Sequence, residues 1–279
     1  MFHFSKTFFI CLVMAVAMAG CDIVDEPYLV PVNGGGPGPG EQVRKVLLED
    51  YTGQKCPNCP EAAELAHSLQ TIYGDQLIIL TVHAGYYSIP SASGEFTADY
   101  RTSEGNELNS YFGFYAYPSG MVDRTEYKGN RVLFKDDWEG AVAAQVDLPA
   151  QAVITMTNEY NASDRKLTCA LETTFLEDLT GTFNICVYIT ESGIVSPQQT
   201  QSGIVQDYVH NHVLRASMDG TWGDLVGGDG TAVTNVKLSD QFELTLDQAW
   251  NADNCAVIAF IINNETQEVI QAEEAGVTE

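Results

Sequence analysis

The sequence predicts an α/β domain followed by an all-β antiparallel sandwich, and three observations carry that expectation. From Val43 to about Ala144, short apolar runs alternate with segments of helical periodicity. Beyond Pro149, strand-like runs follow one another with no convincing amphipathic helix between them. At 279 residues the chain suits two domains better than one. The change of pattern puts the boundary at Asp147-Leu148-Pro149, giving domains over 43–148 and 149–279.

In the first half, Lys45 to Tyr51 reads as a strand and Glu61 to Tyr73 as a helix, with apolar residues at 62, 65, 66, 69, 72 and 73. Gln76 to His83 is a continuous apolar run, as expected of a parallel strand buried on both faces. An insertion over 84–116 is rich in Tyr, Ser and Gly, with a helix expected from Glu104 to Phe112. Tyr117-Pro118 then turns into a short strand, and Phe134 to Val146 closes the domain as a helix with Trp138, Val142 and Val146 on one side. In the second half, residues 153–157, 166–175, 182–190, 241–246, 255–262 and 268–272 have strand composition.

The first 20 residues read as an export signal: Lys6, then an apolar stretch from Phe8 to Ala19 too short for an ordinary membrane-spanning helix. Met18-Ala19-Gly20-Cys21 resembles a bacterial lipoprotein signal, which implies cleavage before Cys21 and lipidation of its thiol. A plain secretory signal is the alternative. Residues 21–42 then form a Pro/Gly-rich tether that cannot build a core. The acids Asp22, Asp25 and Glu26 suit a generic solvated linker and equally resemble the export stretch of surface lipoproteins.

With 13 basic and 38 acidic residues the formal charge is 13 − 38 = −25, and losing Lys6 with the signal makes it 12 − 38 = −26. Such a surface repels nucleic acid and anionic lipid, so nucleic acid is excluded as a partner. An exported protein sits where disulfides persist. Cys169, Cys186 and Cys255 lie in apolar runs and read as small buried hydrophobes.

The chemistry concentrates in Cys56-Pro57-Asn58-Cys59, which joins the first strand to the first helix. A thiol at a helix N-terminus is favoured as thiolate, and Lys55 adds to that effect. The first domain resembles a thioredoxin-fold domain on three matches. They are the CxxC between strand and helix, Asp50 six residues before Cys56, and Tyr117-Pro118 just before a strand. The resemblance implies an attacking Cys56, a resolving Cys59, Asp50 as proton acceptor and Pro118 as a cis-proline beside which an extended substrate lies, flanked by Tyr117. No tryptophan precedes Cys56, so a redox potential does not carry over. The whole chain resembles the Omp28-related outer-membrane lipoproteins of Bacteroidetes. That rests on Glu49-Asp50-Tyr51-Thr52-Gly53 leading into Cys56 to Pro60, on Tyr208 to Arg215, and on Trp222-Gly223-Asp224.

These readings imply a lipid-anchored outer-membrane protein, periplasmic or cell-surface, exchanging disulfides with exported proteins or peptides. No cofactor or metal is implied. Exchange requires Cys56 to be open to a partner. The alternatives are a disulfide that merely staples the first turn, or a CxxC half-site for zinc. In the staple reading, the sandwich and the tyrosine loop bind an extracellular ligand. His210-Asn211-His212 would place both imidazoles on one side of an extended segment, and Asp224 to Gly230 reads as a glycine-rich turn before it reads as a calcium loop.

Overall fold

β1 (Val46–Thr52) is buried along its whole length, because helices cover one face and other strands the second. The structure, a computed structural model, describes residues 42–278. The expected export signal and Cys21 lie outside the described residues, as does the tether except for residue 42. β2 (Leu77–His83) pairs parallel to β1, with Val46 opposite Leu77 and Thr52 opposite His83. The link is α1 (Cys59–Tyr73), which starts with Pro60 in its first turn, where the missing N–H costs nothing. Its buried stripe is Ala62, Ala66 and Leu69, whereas Ile72, expected on that stripe, is exposed.

The insertion holds α2 (Ser103–Tyr111), whose first turn is capped by Thr102 accepting from Gly105 N–H. β3 (Ser119–Val122) lies antiparallel to β1 on its other side. α3 (Trp138–Val146) packs Trp138 and Val142 with α1 over Val46, Leu48, Leu77 and Ile79.

The remaining strands are β4 (Ala152–Asn161), β5 (Lys166–Phe175), β6 (Phe183–Glu191), β7 (Ile194–Thr200), β8 (Gly203–His210), β9 (Val213–Ser217), β10 (Asp224–Leu225), β11 (Lys237–Thr245), β12 (Cys255–Asn263) and β13 (Val269–Gly276). β11, β5 and β4 make a three-stranded sheet of their own, but β6, β9, β10, β12 and β13 join the sheet of the first half. β9 pairs with β2 at Thr81, so the large sheet runs β13-β12-β6-β9-β2-β1-β3, with β10 on β6. The order crosses residues 147–149, and the described residues do not separate there into two units.

The continuous apolar runs explain this arrangement. In β6 and β12, Ile185, Val187, Ile189, Val257, Ala259 and Ile261 face the three-stranded sheet β11-β5-β4. Cys186, Tyr188, Ile258, Phe260 and Ile262 point the other way, into a core shared with Leu47, Tyr51, Ile78 and Leu80. The large sheet is therefore curled, with its two ends facing each other. Arg44 marks the closure: it donates to Asp123 Oδ2 at 2.8 Å and to the carbonyls of Val269 and Ile270. A second buried pair, Arg124 with Glu49 at 2.8 and 3.0 Å, sits in the same joint. Two charges so far from water are tolerable only when paired and hydrogen-bonded.

β7 and β8 pair only with each other, as a separate two-stranded hairpin. This hairpin is absent from the sequence reading, and it lies against the CxxC turn. Cys169, Cys186 and Cys255 are buried and free, each with its thiol pushed up by burial.

Candidate functional site

After β1 the chain makes a tight turn, with Cys56 N–H donating to Gly53 O at 2.9 Å. Glycine is required at 53, because a Cβ there would come within 2.5 Å of the Tyr87 backbone. That approach lets Lys55 N–H bond Tyr87 O at 3.1 Å, pinning the start of the insertion against the motif. Cys56 and Cys59 are joined as a disulfide with Cα atoms 5.5 Å apart. Lys55 carries its ammonium over the Tyr86 ring, 5.9 Å from the centroid.

The Tyr117-Pro118 peptide bond is cis. Pro118 and Tyr117 line an open groove of about 460 Å³ together with Asn58 of the motif, Glu61, Phe134 and Gln201. The prolyl loop thus shares one groove with the motif. Tyr117 is held by its hydroxyl, which donates to Asn109 Oδ1.

The expectation of an open Cys56 is not met. Cys56 is 0% exposed and Cys59 2%. The β7–β8 hairpin lies against the backbone of the turn that carries the disulfide. Gln198 Nε2 donates to Cys56 O at 3.0 Å and to Gly53 O at 3.3 Å, while Gln199 N–H donates to Gln54 O at 2.8 Å. Gln201 reaches Asn58 Oδ1 and Glu61 Oε1 from the hairpin tip. Buried glutamine amides make sense only where they find carbonyls, and here the turn around the disulfide supplies them.

Behind the motif lies a second space, a cavity of about 210 Å³. Cys59 lines it, and Cys56 does not. Its other walls include Asp50, His67, His83, Tyr208, His210 and His212. Burial pushes the Asp50 carboxyl up to about 7, and leaves Oδ1 without a partner. Burial also pushes His83 down to about 3, with His210 and Arg215 adding to it. His210 and His212 are each lowered to about 4 by burial. These three imidazoles are therefore neutral near pH 7. Both ring nitrogens of His83 and Nε2 of His210 lack partners, and the two rings meet edge to face at 5.6 Å.

Sequence reasoning saw His210 and His212 as a pair but not their companions. His212 has left-handed backbone at φ 55°, so the segment is not regularly extended, yet both side chains line the one cavity. His83 could have been found from register, since it ends the strand whose Thr81 lies opposite Asp50. No group of three or more His, Cys, Asp or Glu among the described residues is placed to hold a metal ion. The Asp224–Gly230 segment is a short strand and turn, with Asp229 bonded to Thr231.

A family model for the outer membrane protein Omp28 matches residues 105–279. The chain belongs to the Omp28 family. The match includes Tyr208 to Arg215, which end the hairpin and form a cavity wall, and Trp222-Gly223-Asp224. The latter fixes α2: Trp222 Nε1 and Thr221 Oγ1 both donate to Glu107. The match starts after the CxxC. Family membership places this Omp28 protein in the outer membrane.

Among solved structures, HBP35 of Porphyromonas gingivalis is similar at a TM-score of 0.65 and 18% identity, over 85% of this chain and 76% of that one. A protein of Agrobacterium tumefaciens is similar at a TM-score of 0.52 and 12% identity, over 86% of this chain and 97% of that one. A domain of the outer membrane lipoprotein Omp28 from Porphyromonas gingivalis matches at a TM-score of 0.33 and 19% identity, over 47% of this chain and 93% of that one. At these identities the likenesses concern fold alone. Among curated proteins none matches the chain.

Among the described residues no helix is long and apolar enough to cross a membrane.

Proposed function

We propose that this Omp28 protein is an exported, Cys21-lipidated thiol–disulfide exchange protein. Its first half is a thioredoxin-like unit, and its disulfide is kept covered by the β7–β8 hairpin until a protein partner displaces it. The observation that carries the reading is the convergence on one disulfide of a cis-prolyl loop and a buried acid. Pro118 shares a groove with Asn58 on the front, and Asp50 shares a cavity with Cys59 on the back. A disulfide needed only as a staple has no use for an acid of elevated pKa beside it.

In this mechanism a partner's extended segment lies along the prolyl loop, where Pro118 has no N–H to donate. Once the hairpin lifts, Cys56 of the reduced pair, just ahead of α1, attacks a partner's disulfide as thiolate, and the partner's other sulfur leaves as its thiolate. Cys59 then attacks the mixed disulfide, and Asp50, near neutrality in pKa, takes its proton.

The hairpin is built to move at low cost. It pairs with no other strand, and Val195, Ile204, Val205 and Val209 point substantially to solvent, so little apolar burial holds it down.

The burial of both cysteines favours a second reading, in which the disulfide is a permanent staple and the protein binds a surface ligand. Equilibration of the 56/59 pair against glutathione separates the two. Exchange expects a potential above about −300 mV, with insulin-reducing activity that disappears in Cys56→Ser. A lower potential with no activity in the parent leaves the staple.

A further inference from the structure

We propose that polar low-molecular-weight thiols reach the disulfide from behind, through the histidine-lined cavity, and attack it at Cys59 while the hairpin stays closed. This rests on the exchange reading and adds a second class of reductant with its own entrance.

The two cysteines are not equivalent. Cys56 is fully buried and borders neither the front groove nor the rear cavity, whereas Cys59 is part of the cavity wall. At about 210 Å³ the cavity has room for about seven waters, at about 30 Å³ each, and hence for a thiol of a few heavy atoms. It is far too small for a protein loop. Among the residues of its walls, Asp50 Oδ1, both nitrogens of His83 and Nε2 of His210 are buried with no protein partner. Buried polar atoms of this kind normally find one. With three neutral imidazoles, the walls offer both donors and acceptors beside the Asp50 carboxyl.

The chemistry balances. The thiol gives its proton to the Asp50 carboxylate and its sulfur bonds Cys59 Sγ. The Sγ–Sγ bond breaks, and its electron pair leaves on Cys56. A second thiol, whose proton passes to the Cys56 thiolate, attacks the external sulfur of the mixed disulfide. It releases the oxidised small disulfide, and the Cys59 thiolate recovers the proton from Asp50. Two thiols are oxidised and one protein disulfide is reduced.

The test uses the full mature chain as Cys56→Ser and Cys59→Ser, each reacted with bis(2-hydroxyethyl) disulfide and followed by intact mass. Cys59 is expected to take the adduct at least about tenfold faster than Cys56, because access governs thiol reactivity here. Ala63 also lines the cavity, and adding Ala63→Leu to fill it is expected to slow Cys59 labelling by a similar factor. Ala63→Ser, which leaves it open, is not, and melting curves of each variant establish that it is folded. Faster labelling of Cys56, or no effect of Ala63→Leu, overturns the rear entrance and leaves exchange intact. If neither cysteine labels in the folded protein, the rear entrance falls, and insulin reduction by the parent decides the exchange reading separately.

Discussion

Replacing Gln198 by Ala tests whether the hairpin is a gate. In the closed state its amide makes two bonds to the turn that carries the disulfide, to Cys56 O at 3.0 Å and Gly53 O at 3.3 Å. Each net contribution of a buried hydrogen bond is about 1 kcal/mol, so the closed state loses about 2 kcal/mol relative to the open one. Since 1.4 kcal/mol is a factor of ten, the open fraction rises about 30-fold. The assay is reduction of the 56/59 disulfide by a protein dithiol, trapped by alkylation and counted by mass. When opening precedes a slower chemical step, the rate follows the open population and rises about 30-fold too. Reduction by a small thiol through the rear cavity is expected to change less than twofold. The gating argument is refuted if amide exchange over 195–209 accelerates while reduction by the protein dithiol does not.

Asp50→Asn is expected to stabilise the protein at high pH. The folded carboxyl sits at about 7 against 3.8, so stability falls as pH rises from about 4 to 7, by up to about 4 kcal/mol at about 1.4 kcal/mol per pH unit. Urea unfolding at pH 4 and pH 8 should show that loss in the parent and a smaller one in the variant. His83→Leu is expected to tilt the profile the other way. Its folded pKa of about 3 lies below 6.5, so the parent loses stability as pH falls below 6.5, and the variant should lose about 1.4 kcal/mol less per pH unit between 6 and 4. Gly53→Ala should cost about 1–3 kcal/mol through overpacking against the Tyr87 backbone, read as a lower urea midpoint and faster exchange of the Lys55 amide.

What the sequence made legible follows from how each element is buried. β1, α1 and β2 were readable because a two-sided buried strand gives an unbroken apolar run and a one-sided helix gives a stripe. The prolyl turn was readable because Tyr117-Pro118 stands directly before a strand. β7 and β8 were not, since their signal inverts the usual one. Pro197 interrupts the first strand, Gln198 and Ser196 are buried, and Val195, Val205 and Val209 are exposed. A hairpin held by amide hydrogen bonds has no apolar period to detect. The cavity was equally hidden, because Asp50, His67, His83 and His210 come from β1, α1, β2 and β8, four elements up to 160 residues apart.

The single curled sheet was hinted at, and the hint bears on function. An isolated sandwich strand alternates, as β5 does, with Leu167, Cys169, Leu171, Thr173 and Phe175 inward and their neighbours outward. β6 and β12 do not alternate: almost every residue is buried, which demands cover on both faces. One of those covers is the core under β1 and β2, so the half carrying the gate and the half carrying the disulfide share their packing. The gate cannot drift away with a separate domain. It can only peel from Gln54, Gly53 and Cys56 while β9, anchored on β2 through Thr81, stays in place. Peeling therefore pivots near His210 to His212, the residues that wall the cavity. An occupant bonded to His210 would hold that pivot in its closed form, because a ligand shifts an equilibrium toward the state it binds better. Front and rear entrances are thus coupled: a thiol seated behind Cys59 should slow reduction by a protein dithiol at the front. Competition between 2-mercaptoethanol and a protein dithiol, with rates measured for each reductant alone and then together, reads that coupling directly. Strictly additive rates would show that the two entrances act independently.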